Sequence, residues 1–451
     1  MNIFAPGLSM PQFCARFLLH DPALVAYKSD RFRRMMSLNA SGRLLARPNV
    51  APTWGPAHLT YHSPPMYGVL QGKYEDVEAE LNHMRSQHLA DLILFVGGDG
   101  LSINRVNHLI KDHFELYLDQ TPVMIPVAGE SPHGVFHCMH AGWRLYLRLI
   151  RLAAAELGMG TWLVEDPLVK HFNSHLFFLY KLIRACSDYI SIISNTPGAL
   201  PLDELDGFQR AAERNIDFAW IFHFLHDYGY MVLDFKRSVR SNDGARLDQL
   251  WCEFFSLGHT STANKTQYVP MAIMRVWWSM ALNPRVAALY QSIRCIPMSS
   301  EEGAMVGWDF PIEDLNCECT VRAPCASESR IEHVISTYSI TSHSYRQLRD
   351  SFLGGRARQT HHMRAMDADV RILVEWLLES VGRTWQEATR LNPAPSTRRA
   401  APTPRGLGIP RGTAPWDEVQ DVMTTRGAGS VPNFIAGHVR NLTGQFYSMG
   451  P

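Results

Sequence analysis

Two short apolar runs in the first third of the chain carry its clearest strand pattern. The first, Leu92–Val96, ends in the glycine-rich turn Gly97–Gly100, and the second, Pro122–Ala128, is closed by Gly129. Short apolar runs bounded by glycine are typical of strands buried on both faces. The stretch 102–116 between them is predicted to be helical. A helix between two such strands predicts a β-α-β unit.

Elsewhere, apolar residues recur at intervals of three and four, which is the pattern of helices with one buried face. Most of these segments form a largely helical block over about 143–295, and the run within it that starts at Ile216 is apolar enough to be buried on most sides. The predicted helices cover Tyr74–His88, Trp143–Leu157, Val169–Ser194, Leu202–Ala212, Ile216–Leu233, Met271–Leu282, Pro284–Ser292 and Val370–Ser380.

The expected fold class is α+β, or α/β, with a small sheet packed against the large helical block. The stretch 391–415 is rich in proline and arginine and has no apolar face, which predicts a linker too polar to fold. The expected division is a poorly patterned segment over 1–70, the β-α-β part over 71–142, the helical block over 143–295, an irregular and partly helical remainder of the core over 296–390, and a largely disordered tail over 391–451.

The composition of the chain bears on its possible partners and on the cellular compartment in which it is expected. Its 43 basic and 43 acidic residues cancel, so no global basic field draws it to nucleic acid, although local patches are still open. Eight cysteines are scattered without paired spacing, and the first residues lack the pattern of a signal peptide. We therefore expect an intracellular, reducing compartment with free thiols. Because no segment has eighteen uninterrupted apolar residues, we expect no membrane span.

Asp99 is the first candidate site residue, because it follows a predicted buried strand, and α/β sheets place their chemistry at the carboxyl ends of strands. It can be a Mg²⁺-binding carboxylate, as on the central strand of RNase-H-like nucleases. The turn also resembles the strand-GGDG-Thr-helix element of diacylglycerol and NAD kinases, which approaches ATP phosphates, although Leu101 replaces the threonine. The third interpretation is a turn aspartate that caps the next helix.

Two further candidates, Asp217 and Asp234, lie inside otherwise apolar stretches. A carboxylate in such a setting costs several kcal/mol unless it is paired or bound to a metal ion. Lys236 and Arg237 follow Asp234 closely and are expected to neutralise it if the site is an ion pair. A buried ion pair and a metal ligand are therefore the two interpretations for both acids.

Asp309 and Glu313 complete the set of acidic candidates. They are four residues apart, so on a helix they would share one face, and Pro311 suits the first turn of such a helix. This pattern fits a pair of metal ligands that would join Asp99, and it also fits ordinary capping of a helix N-terminus.

Two groups of histidine and cysteine residues are candidates for zinc ligands, because their members lie close together in the sequence. Neither matches a standard zinc module, so we expect core histidines and separate thiols rather than zinc. The first group is His133, His137, Cys138 and His140, and the second is Cys317, Cys319, Cys325 and His333.

Several basic residues lie near aromatic clusters in the sequence. Cations interleaved with aromatic rings can grip and stack nucleic acid, whereas aromatic residues at helical spacing, such as Trp277 and Trp278, are typical of a core. The candidates for nucleic-acid contact are Arg105, Lys236, Arg237 and Lys265, with Arg240 and Arg275 nearby in the sequence.

Four blocks of the sequence together resemble a family of transposon-derived proteins that carry a domain of unknown function and occur in protist and algal copies. The first is Gly98-Asp99-Gly100-Leu101-Ser102 with Arg105, and the second is Phe136-His137-x-Met139. The stretches GHTSTANKTQYVPM over 258–271 and GWDFPIEDLN over 307–316 resemble its later blocks. The resemblance covers about residues 90–350.

This resemblance implies an RNase-H-like transposase core interrupted by a helical insertion, with Mg²⁺-dependent cleavage and transfer of DNA strands. Asp99 would be the first catalytic acid, and His137 a core position. The family has an acid after its later Asn-Tyr-Ala pattern, where this chain has Met271. Asp309 or Glu313 would then have to replace it, and Asp234 is a further candidate.

Three functions therefore stay open from the sequence. The first is a transposase-derived, Mg²⁺-dependent DNA nuclease located in the nucleus. The second is a non-catalytic remnant of a transposase that binds DNA or protein. The third is a lipid or nucleotide kinase built on the glycine-rich turn.

Overall fold

In the computed structural model the described residues are mostly helical with little sheet, which agrees with a helix-rich α+β class. The residues that it describes are 4–5, 8, 10–17, 21–40, 74–87, 93–98, 100–118, 120–130, 149–158, 172–195, 205–259, 268–297, 305–307 and 363–390.

The first part of the described chain contains five helices and two strands. In chain order they are α1 (Met10–Ala15), α2 (Pro22–Ala40), α3 (Tyr74–Gln87), β1 (Ile93–Gly98), α4 (Gly100–Asp112), α5 (Phe114–Tyr117) and β2 (Val123–Ala128).

The second part is dominated by helices, and a short helical segment over 149–156 precedes it. Its elements are α6 (Phe172–Ser194), α7 (Leu205–Ala212), α8 (Ile216–His223), a π-helical turn (Phe224–Gly229), α9 (Tyr230–Ser241), α10 (Gly244–His259), α11 (Tyr268–Ala281), α12 (Pro284–Ser292), β3 (Cys295–Pro297), β4 (Met305–Gly307), α13 (Met363–Ser380) and α14 (Trp385–Ala388).

Strands β1 and β2 form the predicted β-α-β unit. They pair in parallel, from Ile93 opposite Val123 to Gly98 opposite Ala128, and α4 is the crossover between them. Every residue of β2 is buried, as its continuous apolar run predicts. The two short strands β3 and β4 pair antiparallel in a separate sheet.

The apolar run that starts at Ile216 does not form one continuous α-helix. It divides into α8, the π-helical turn and α9, which are almost completely buried apart from Lys236, Arg237 and Arg240 on α9. The turn ends at Gly229, where a Cβ atom would lie 2.8 Å from Ile183 Cγ1 and 3.2 Å from the carbonyl oxygen of Phe224. Glycine therefore allows α6 to approach the backbone of the turn closely. π-helical turns of this kind are often found at functional sites.

Helix α2 lies within the segment 1–70, which shows little apolar periodicity. Its buried side chains include Lys28 and Arg31 beside Phe32 and Met35, so charged residues occupy part of its inner face. This composition explains why the pattern of hydrophobic positions does not reveal the helix. Helix α2 packs against the π-helical turn, α6 and α9.

None of the helices formed by the described residues is long and apolar enough to cross a bilayer. The predicted tail over 391–451 lies outside the described residues.

Candidate nucleic-acid interface

The structure describes only part of the predicted site. Asp99, Asp309, Glu313 and Lys265 lie outside the described residues, as do both histidine and cysteine groups, so their roles stay predictions. Asp217, Asp234, Arg105, Lys236 and Arg237 are described.

The register of the parallel strands positions the chain that leads to Asp99. Gly98 pairs with Ala128, so the segments that follow the two strands leave the sheet at the same edge. Two residues after Ala128 lies Glu130, which is fully buried. Sequence analysis missed this acid, although an acid directly after a buried strand is the same signal that singled out Asp99.

Both carboxylate oxygens of Glu130 are already bound. Arg294 donates from Nε to Oε1 over 2.6 Å, and the indole Nε1 of Trp251 donates to Oε2 over 2.6 Å. The Nε atom of Arg275 lies 3.5 Å from Oε1, and Arg294 also bonds Asp248. Such a carboxylate does not fit a Mg²⁺ ion, because its lone pairs already accept from buried cations. Glu130 instead ties the end of β2 to α10, α11 and the chain after α12.

Arg275, which the sequence places near an aromatic cluster, belongs to this buried group. Its guanidinium carbon lies 3.9 Å from the centroid of the Trp251 ring, and only 2% of the residue is exposed. Trp277 and Trp278 are buried as well, which confirms that they form core.

Asp234 is completely buried on α9 and is held by residues from two other helices. The hydroxyl of Tyr27 donates to Oδ2 over 2.6 Å, while Arg34 Nη2 and Arg246 Nη1 lie 3.7 and 3.6 Å from Oδ1. Burial, and then the Asp234 charge, raise the pKa of Tyr27, which keeps its hydroxyl protonated and able to donate.

These contacts bear on the two interpretations of Asp234. It lies in a buried ionic cluster whose closest cations, Arg34 and Arg246, come from α2 and α10, while its sequence neighbour Arg237 contributes a longer-range attraction. The described residues contain no group of three or more histidine, cysteine or acidic side chains that could hold a metal ion. Among the residues that the structure describes, Asp234 therefore contacts cations and a tyrosine, and its role as a catalytic acid stays a prediction.

A second ionic group lies where α2 meets the π-helical turn and α10. Arg31 donates to both oxygens of Glu253, over 2.7 and 2.9 Å. Lys28 Nζ lies 2.6 Å from Asp227, which also contacts the Nδ1 atoms of His223 and His226 at 3.0 and 2.8 Å. This group holds the N-terminal part of α2 in register against the core.

Burial and the charges of this second ionic group change the pKa values of two of its residues. Burial favours the protonated form of Asp227, but Lys28, His226 and the histidine hydrogen bonds outweigh it and hold the pKa of Asp227 well below its usual range. Burial lowers the pKa of His226 despite the opposing effect of Asp227.

Five basic side chains near Asp234 form a partly exposed surface, which we call the cationic face. Its members are Arg34 on α2, Lys236, Arg237 and Arg240 on α9, and Arg246 on α10. The side chains of Arg34 and Arg246 are 34% and 21% exposed. Sequence analysis found Lys236 and Arg237 but could not show that Arg34 and Arg246 join them from distant helices.

Burial and neighbouring positive charges lower the pKa values of Lys236 and Arg237 on the cationic face. Lys236 Nζ lies 4.8 Å from the centroid of the Tyr180 ring, and burial, followed by the nearby Arg240, lowers its pKa to about 8. Burial also lowers the pKa of Arg237, with Arg34 and Arg246 adding to the effect and Asp234 opposing it. An anion placed here would favour the charged forms of Lys236 and Arg237, because a nearby opposite charge raises the pKa of a basic group.

Comparison of the chain with protein-family models, with curated proteins and with solved structures found no match. The resemblance to transposon-derived proteins therefore stays a prediction from the sequence blocks. Arg105 lies on α4 of the β-α-β unit, on a different element from the cationic face.

Proposed function

We propose that this chain is a transposase-derived protein that binds DNA through the cationic face. The observation that carries the proposal is the convergence of five basic side chains from α2, α9 and α10 on one partly exposed surface. In this hypothesis the helical block is the insertion of the transposase-like chain, and binding does not require strand cleavage.

The local charge supports this proposal more than the overall charge does. The whole chain is neutral, so a basic surface arises only where folding collects cations. The cationic face has three acids close by, namely the buried Asp234 and two residues at its edges, Asp30 and Asp243, which lie 3.8 Å from Arg34 and Arg246 respectively. A surplus of two positive charges remains, which is the sign needed to contact a phosphate backbone.

The mechanism that follows is positioning on the phosphate backbone rather than recognition of bases. Arginine donates two parallel hydrogen bonds to phosphate oxygens, and helices hold such donors in a fixed arrangement. Because Lys236 and Arg237 are already partly desolvated, they give up less water on binding than fully exposed cations would.

The test compares the double variant Arg237→Gln and Arg240→Gln with a matched control, Arg371→Gln and Arg383→Gln, which also removes two arginines but from α13 and the chain after it. Fluorescence anisotropy with a labelled 30-base-pair duplex should show binding weakened about tenfold or more for the first pair and little changed for the control. Equal affinities for both double variants would refute the proposal.

Mg²⁺-dependent DNA strand cleavage on an RNase-H-like core is the second candidate function. The parallel pairing of β1 and β2 favours it, because the segment that leads to Asp99 then leaves the sheet beside the end of β2. Since both carboxylate oxygens of Glu130 are already bound, Asp99 would need Asp309, Glu313 or Asp234 as partners. Nicking of supercoiled DNA by the wild-type chain with Mg²⁺, and its loss in Asp99→Asn, would support this function, and nicking that persists in the variant would exclude it.

A further inference from the structure

We infer that a groove between α6 and α13 is a docking site for the segment 431–446 of the same chain, which packs into it as an amphipathic helix. This inference goes beyond the proposed function and does not depend on it. The groove is formed mainly by α6 and α13, whereas the cationic face is formed by α2, α9 and α10.

The groove is a concave surface of about 840 Å³ on the helical block. One wall is the last part of α6 with Asn195 after it, the other is α13, and Asn39 at the end of α2 closes one side. Apolar side chains from both walls line it, namely Ile192, Val370, Ile372, Val374 and Leu378.

Two of these side chains are unusually accessible. Ile192 and Ile372 are 46% and 48% exposed. Among the described residues four large apolar side chains are strongly exposed, and the other two, Val25 and Leu289, lie apart from each other on α2 and α12. Exposed apolar side chains that gather in one concave surface are typical of a docking site, whereas single ones are common on any protein.

The polar groups at the edge of the groove already have partners. Asn39 Nδ2 donates to Asp188 Oδ1 over 2.6 Å, and Arg383 Nη2 donates to Glu375 Oε1 over 2.6 Å. Arg371 Nε donates to the carbonyl oxygen of Asp367. An occupant therefore gains little from ion pairs here, and the surface suits an apolar partner rather than a charged one.

The segment 431–446, VPNFIAGHVRNLTGQF, has the matching pattern. Its large apolar residues recur at steps of three and four and would form one stripe on a helix, namely Val431, Phe434, Ile435, Val439, Leu442 and Phe446. Pro432 suits the first turn of such a helix. An amphipathic helix whose apolar stripe lies in a groove is a common mode of recognition. The stretch 41–73, which follows Asn39, has no such stripe.

The position of the segment in the chain favours docking within one molecule. The structure describes the chain up to Arg390, just after α14, and α14 packs against α6. The 40 residues over 391–430 connect Arg390 to the segment. An unfolded chain of that length spans about 35 Å on average, which is about the length of the 23-residue helix α6. The segment is therefore held near the groove at an effective concentration of about millimolar, which favours it over a second copy.

The first arm of the test measures hydrogen exchange of the full chain by mass spectrometry. Amides of 431–446 should exchange about tenfold or more slowly than in a synthetic peptide of the same sequence, because a docked helix protects its amides. Ile372→Glu places a charge in the groove and should restore the exchange rate of the peptide. Since Ile372 is already half exposed, this variant should keep the fold, and Ile192→Glu is the second variant. Leu289→Glu, an exposed apolar residue outside the groove, is the matched control and should keep the protection.

The second arm changes the segment instead of the groove. Phe434→Asp interrupts the apolar stripe and should remove the protection of 431–446. Thr443→Asp adds the same charge on the opposite side of the helix and should leave the protection unchanged. Circular dichroism checks that each variant keeps the helical content of the wild-type chain.

Light scattering at each protein concentration decides whose segment occupies the groove. Protection that is independent of concentration in a monomer supports the inference. Rapid exchange of 431–446 in the wild-type chain, or protection that survives both Ile372→Glu and Ile192→Glu, would overturn it. Protection that appears only with dimer formation would make a second copy the occupant and would overturn docking within one chain.

Discussion

Replacing Glu130 with glutamine tests whether the buried carboxylate joins the β-α-β unit to the helical block. The wild-type side chain accepts from Arg294 and Trp251 and lies 3.5 Å from Arg275. Glutamine has nearly the same shape but no charge, so Arg294 would keep only Asp248 as a counter-ion and Arg275 would lose the carboxylate beside it. Leaving a buried charge without its partner costs about 3–5 kcal/mol.

We therefore expect Glu130→Gln to lower the free energy of unfolding by about 3 kcal/mol or more, measured by urea unfolding followed by circular dichroism. Glu375→Gln is the matched control, because Glu375 pairs with Arg383 at 2.6 Å on the surface, where both side chains are more than half exposed. Exposed pairs of this kind contribute about 0–1 kcal/mol. A loss for Glu130→Gln no larger than that of the control would refute the view that this carboxylate compensates the buried arginines.

Two further outcomes follow from the packing around the π-helical turn. Burial lowers the pKa of His226 below its usual value of 6.5, so as the pH falls the unfolded chain takes up a proton before the folded chain does. The stability that this difference provides is therefore present above about pH 6.5 and should decline below it. His226→Gln should flatten this part of a curve of urea midpoint against pH, and an unchanged curve would contradict the assignment. Gly229→Ala places a Cβ atom 2.8 Å from Ile183 Cγ1 and should lower the melting temperature, at a cost of about 1–3 kcal/mol, whereas an unchanged melting temperature would show that α6 can move away.

Hydrophobic periodicity predicts the main elements that have an apolar face. The strands at Ile93 and Val123 and most helices of the core follow from it, because each buries residues at the spacing of its secondary structure, although the predicted helices do not include α10. It does not reveal α2, whose buried face includes Lys28 and Arg31. The acids that compensate these residues, Asp227 and Glu253, lie about 200 positions away, on the π-helical turn and α10.

The candidate site was predictable only in part for the same reason. Lys236 and Arg237 stand beside Asp234 in the sequence, so a charged cluster on α9 can be expected. Arg34 and Arg246 join it through the packing of α2 and α10 against α9, and sequence spacing carries no signal for such a contact. The π-helical turn is hidden as well, because a continuous apolar run gives no sign of where the helical hydrogen bonding changes.

The salt dependence of duplex DNA binding tests the proposed interface most directly. Each cation that contacts a phosphate adds about 0.9 to the negative slope of log K against log salt concentration. If Arg237 and Arg240 both contact phosphates, their replacement by glutamine should reduce the slope by about 1.8 between 50 and 200 mM salt. The control variant Arg371→Gln and Arg383→Gln should keep the wild-type slope. Equal slopes for the wild-type chain and both double variants would contradict DNA binding through the cationic face.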